Sequence, residues 1–148
     1  MSKLALLGVL LSAACSGALS PRSTPSEATH TDTRVNGALR LELTDYPTMP
    51  GIMFALPSVT GGDGRVMVEN TRYGSLCLFA VDGRAETTDH TIALHISFEQ
   101  RLSVCTQEIR ALKYSAVISE PAGVYDVVVI HEENAAADTL ARRTITVR

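Results

Sequence analysis

The chain has 148 residues, of which 45% are hydrophobic and 20% charged, and its formal net charge is −3. These values are ordinary for a folded domain and exclude wholesale disorder. The acidic balance, with arginines scattered singly apart from Arg142-Arg143, excludes the basic stripe of a nucleic-acid binder.

Lys3 precedes an apolar run from Leu4 to Leu11, and Ser12-Ala13-Ala14 then leads to Cys15. A charged start, a short apolar core and a small-residue cleavage region, in that order, are what an export signal needs. The run is too short for a spanning helix, which takes about 20 apolar residues. Leu11-Ser12-Ala13-Ala14-Cys15 resembles the lipobox of bacterial lipoproteins, with Ser12 where that family usually carries Leu. The resemblance implies a signal peptide over residues 1–14, acylation of Cys15 and a membrane partner through that lipid. Because Ser16 rather than Asp follows the cysteine, the family's sorting preference implies the outer membrane of a Gram-negative envelope. Ordinary cleavage at Ser12-Ala13-Ala14 or after Ala18 gives a soluble secreted or periplasmic product instead.

Residues 15–35 follow as the acylated cysteine and a disordered linker. Ten of the nineteen residues from Ser16 to Arg34 are Ser, Thr or Pro, and a flexible chain of that length spans roughly 25 Å. His30 falls in this segment as a solvated side chain.

From residue 36 to 148 the pattern is one of strands. Leu39, Leu41 and Leu43 alternate with Arg40, Glu42 and Thr44, which puts a leucine face on a core and a charged face in water. Ile52 to Leu56 reads as a short strand and Thr60 to Gly64 as a turn cluster, after which Val66 and Val68 face inward. Leu76 to Val81 is apolar on both faces, as a central strand would be, and Asp82-Gly83 stops it. Ile92, Leu94, Ile96 and Phe98 give the cleanest alternation. Leu112, Tyr114, Ala116 and Ile118 share the next face, with a helical turn near Thr106 to Ala111 as the alternative for its start. Val124 to Ile130, a polar loop and a closing strand over Thr139 to Val147 complete the chain. About seven short strands predict an all-β domain, a single antiparallel β-sandwich, with an open barrel as the alternative. Pro121-Ala122-Gly123-Val124-Tyr125-Asp126-Val127 resembles the turn-and-strand near the end of bacterial immunoglobulin-like and prealbumin-like sandwich modules. That resemblance implies a structural role for Tyr125, pinning a corner through its hydroxyl.

Cys77 and Cys105 stand 28 positions apart beside predicted strands in an exported chain, and a disulfide is expected. Two buried thiols, or cysteines on opposite sheets, are the alternatives.

No catalytic constellation is legible. His131-Glu132-Glu133 lacks the second histidine of a zinc-protease helix, since position 135 is Ala135, and it reads as an exposed acidic hairpin tip. His90 and His95 fall on opposite faces of their strand. His95 and His131 are the candidate metal ligands if the last hairpin packs alongside, and a copper site built from His90, His95 or His131 would take Met49, Met53 or Met67 as thioether donors. Core filling also accounts for the methionines. The expectation is a non-catalytic envelope module without cofactor that binds another envelope protein or a glycan. Its loops Pro47 to Gly51, Arg84 to His90 and His131 to Thr139, or an exposed strand edge, would carry the contact. A periplasmic copper- or zinc-binding or small-ligand protein is the alternative.

Overall fold

A computed structural model describes residues 30–46, 56–101, 104–105 and 109–148. The strands are β1 (His30–Asn36), β2 (Leu39–Tyr46), β3 (Ser58–Gly62), β4 (Arg65–Ser75), β5 (Leu78–Thr88), β6 (Thr91–Gln100), β7 (Ile109–Ser119), β8 (Gly123–Glu133) and β9 (Ala136–Val147). They form a β-sandwich of two sheets, one ordered β1-β2-β7-β4-β3 and the other β5-β6-β8-β9. The leucines of β2, the valines Val66 and Val68 of β4, and the even-numbered apolar residues of β6 and β7 point between the sheets and are almost wholly buried. Val127, Val129 and Val147 close the core from β8 and β9.

The sheets are antiparallel with one exception. β6 and β8 run parallel, Thr91 lying beside Asp126 and Phe98 beside Glu133. The cause is topological: after β6 the chain crosses to β7 in the five-stranded sheet, so it re-enters the four-stranded sheet as β8 travelling in the direction of β6. Nine strands stand among the described residues, against an expected seven. Residues 30–35, assigned by composition to the linker, belong to β1, whose polar residues pair with β2 from Asn36 opposite Leu39 to His30 opposite Asp45. Part of the turn cluster at Thr60 to Gly64 is strand β3, paired with β4 up to Gly62 opposite Arg65.

Asp82-Gly83 does not end β5. The register shifts between Ala80 and Asp82, a bulge, and pairing with β6 resumes to Thr88. The Asp82 side chain accepts from the Gly83 amide at 2.8 Å, and a Cβ on Gly83 would come within 2.6 Å of Leu41 Cδ2, so glycine lets the bulged backbone lie against the core. β5 is an edge strand rather than a central one. The expected loops at Arg84 to His90 and His131 to Thr139 contract to two tight hairpins, Thr88 pairing with Thr91 and Glu133 with Ala136. Residues 109–111 are strand, which leaves no helical turn there. Residues 52–55 of the expected second strand and the whole of Pro47 to Gly51 lie outside the described residues.

At one lateral edge the sheets meet through main chain. The Gly64 amide donates to the Arg148 carbonyl at 2.9 Å, and the Arg148 amide to the Gly62 carbonyl at 3.2 Å. A Cβ on Gly61 would sit 2.2 Å from the Thr146 carbonyl oxygen, a distance no other residue type permits. Near the other edge, Cys77 and Cys105 form the expected disulfide, with Cα atoms 5.8 Å apart.

Candidate functional site

Three strands of the four-stranded sheet direct outward-facing side chains onto one carboxylate. His95 and Ser97 are two residues apart on β6 and therefore share a face. The antiparallel register places Arg84 opposite His95, and the parallel register places Glu132 beside Ser97. Arg84 grips Glu132 in bidentate fashion, Nη2 to Oε1 at 2.7 Å and Nη1 to Oε2 at 2.8 Å. His95 Nδ1 lies 2.7 Å from Glu132 Oε1 and 3.1 Å from Arg84 Nη2. The guanidinium can only donate, so the shorter contact makes Nδ1 the protonated nitrogen, giving its hydrogen to the carboxylate. Ser97 Oγ donates to Glu132 Oε2 at 3.1 Å. The Arg84 and His95 hydrogen bonds hold the Glu132 carboxyl down at about 2, and Glu132 in turn raises the Arg84 guanidinium. Serine and histidine thus share one acceptor instead of forming a proton relay, in which the hydroxyl would bond the imidazole.

His131 lies on the other face of β8, pointing inward. It is 6% exposed, its Nε2 is 2.9 Å from the Tyr114 hydroxyl, and its ring stands edge-on to Phe98 at 4.8 Å between centroids. Burial, helped by the Arg72 charge and opposed by Asp138, pushes the imidazole down to about 4. It is therefore neutral at pH 7 and accepts the phenol proton at Nε2. Burial likewise raises the Tyr114 hydroxyl, against a hydrogen bond from Asn70. Two adjoining hollows of about 530 and 280 Å3 reach this cluster, and Arg72, His131 and Leu140 line both. Arg72 spans their mouth to Glu133 at 2.8 Å.

A third feature lies between the sheets on the β5 side. Phe79, from β5, has the Arg110 guanidinium over its ring at 4.3 Å and that of Arg101 at 4.8 Å. Arg110 also pairs with Asp45 at 3.1 Å and donates to the Leu78 carbonyl at 3.1 Å. The Arg101 amide donates to the Cys77 carbonyl at 3.1 Å, so the disulfide and this bond hold the end of β6 against the start of β5. A cleft of about 210 Å3 opens beside Phe79.

The sequence-predicted residues fall as follows. Cys15, the leader, Met49 and Met53 lie outside the described residues. Cys77 and Cys105 are joined. The Tyr125 hydroxyl donates to the Pro121 carbonyl at 3.1 Å. His131 is a core residue, because β8 runs three residues past Ile130 and His131 keeps the inward face of Val127 and Val129. His95 and His131 therefore occupy opposite faces of one sheet and cannot ligate a common ion. Met67, 38% exposed, fills no core. Among the described residues, no three His, Cys, Asp or Glu side chains gather as a metal site.

Sequence reasoning missed Glu132 as the partner of His95, since only the parallel pairing brings them together. It also missed Phe79 with Arg101, although a signal was present: Phe79 is two residues after Cys77 and Arg101 four before Cys105, so the expected disulfide already drew them near. Compared with protein-family models, curated proteins and solved structures, the chain matches none.

Proposed function

We propose that this chain is a non-catalytic binding module of the bacterial cell envelope, exported by residues 1–14 and tethered through a lipid on Cys15. The observation that carries the reading is the pairing of Cys77 with Cys105. A structural disulfide belongs to an oxidising compartment, and it uses two of the three cysteines, leaving Cys15 as the odd thiol beside a lipobox-like leader. Residues 16–29, ahead of β1, then serve as the spacer. Ser16 favours the outer membrane where the envelope is Gram-negative.

The binding role without catalysis is supported by the shared-acceptor geometry at Glu132, which makes a rigid polar patch rather than a nucleophile. Another envelope protein or a glycan is the partner class. A second reading, small-ligand binding, is favoured by the clefts between the sheets. Its metal form loses the paired-histidine site.

Fractionation of cells producing the chain and its Cys15→Ser variant tests the anchor. The parent should sediment with membranes and the variant should appear in the soluble periplasmic fraction. Identical partitioning of the two would discard it.

A further inference from the structure

We infer that the cleft beside Phe79 is a binding site for a small organic carboxylate, an apolar body carrying one negative charge. The inference deepens the small-ligand reading and rests on two observations, shape and charge.

The floor of the cleft is apolar, built by Leu43, Leu112, Phe79 and Phe98 where the β2–β7 and β5–β6 pairs diverge. Its volume, about 210 Å3, lies at or below the low end of small-molecule sites, roughly 300–1,000 Å3, which limits the occupant to a short alkyl chain or a single ring. Its walls carry Arg101 and Lys113, together with Arg34 and Asp45, which are both engaged already. That acid is already countered by Arg110 at 3.1 Å. Arg101 lies 3.3 Å from Glu99, and Lys113 lies 4.0 Å from Glu69. Both pairs are about half exposed, and ion pairs in water contribute little, so an anion that desolvates the cations can displace them.

In a chain whose net charge is −3, two cations in displaceable surface pairs beside one apolar hollow are a local feature. Phe79 fixes the aim. With the Arg101 guanidinium over its ring at 4.8 Å, it positions that cation beside the cleft, while Arg110, over the ring at 4.3 Å, is engaged by Asp45 and the Leu78 carbonyl. A carboxylate at the mouth would meet a planar guanidinium, the donor best matched to it, while its apolar body covers the floor.

Calorimetric titration of the purified full chain with hexanoate, hexanol and hexylamine, with benzoate as the ring-bearing probe, tests the inference. Hexanoate or benzoate should bind saturably, hexanol at least about ten-fold more weakly and hexylamine not measurably, a charge-assisted hydrogen bond being worth about one such factor. Arg101→Gln combined with Lys113→Gln should weaken carboxylate binding by about ten-fold or more. Arg142→Gln combined with Arg143→Gln, which removes the same charge from exposed positions of β9, should leave it unchanged, each variant being titrated below its own unfolding transition. Equal response to all three hexyl probes, no binding of either acid, or equal losses in the two double variants would overturn the site. None of these outcomes bears on the location of Cys15, so failure of the ligand site and failure of the anchor are read separately.

Discussion

Ala135 holds a backbone φ of 67° and Asn134 one of 50°, both in the left-handed region. A two-residue hairpin with positive φ at both central positions twists with its strands, and Asn followed by Gly suits it best. Asn134 fits that rule; Ala135 does not, because its Cβ crowds the neighbouring carbonyl. Ala135→Gly should therefore raise stability by about 1 kcal/mol, read as a shift of the urea midpoint at unchanged slope. His131 gives a second prediction at this scale. Its folded imidazole titrates at about 4, below the ordinary 6.5, because burial disfavours the cation. The unfolded chain takes up a proton first as the pH falls, so stability is full above about 6.5 and declines from there to about 4, by up to about 3 kcal/mol. Glu132, held at about 2 against an ordinary 4.5, loses its contribution lower, between those two values. Stability should therefore fall on acidification from pH 7 to pH 4.5 through His131, and His131→Phe should reduce that slope. An unaltered slope in the variant would assign the acid sensitivity elsewhere.

Among the elements, legibility followed burial. β2, β6 and β7 from Leu112 onward alternate because one face meets the core and the other faces water, and their inward residues are those the alternation predicts. β1 and β3 carry no such stripe: His30–Asn36 is largely polar and Ser58–Gly62 mostly glycine and small side chains. They are the two edges of their sheet and form because a neighbour offers a ladder, which no local pattern encodes. The full length of β5 is hidden for a related reason, since a bulge and a chain stop draw on the same residues, Asp and Gly, and only packing against Leu41 distinguishes them. The His95–Glu132 contact depends on parallel pairing across 37 positions, which no local pattern specifies. The disulfide was accessible because it needs only a compartment and a count. It closes a separation of 28 residues, which in the chain-entropy model is worth about 3 to 4 kcal/mol. Cys77→Ala with Cys105→Ala should lower the unfolding free energy by about that much. The same variant should also release the end of β6 at Arg101, seen as faster amide exchange there and at Phe79, with the Gly61 to Gly64 edge unaffected.

The molecule as a whole is a sandwich latched differently at its two sides. The carboxyl terminus ties β9 to the β3–β4 turn through main-chain bonds, while the disulfide and the Arg101–Phe79–Arg110 stack hold the other side. Between these latches the sheets part enough to leave the clefts, and the outer face of the smaller sheet carries the Glu132 patch. A polar, rigid exterior with hollows between its layers suits a module that holds something while it is itself held at a surface. The claim on which this depends is that the sandwich is stapled outside the cytoplasm and carried on Cys15. Intact mass spectrometry of the chain from bacterial membranes, alkylated without reductant, tests it in one spectrum. The account predicts a mature terminus at Cys15 bearing a diacylglyceryl adduct, with Cys77 and Cys105 linked and unalkylated. An unmodified terminus at Leu19, with both of those cysteines alkylated, would contradict it.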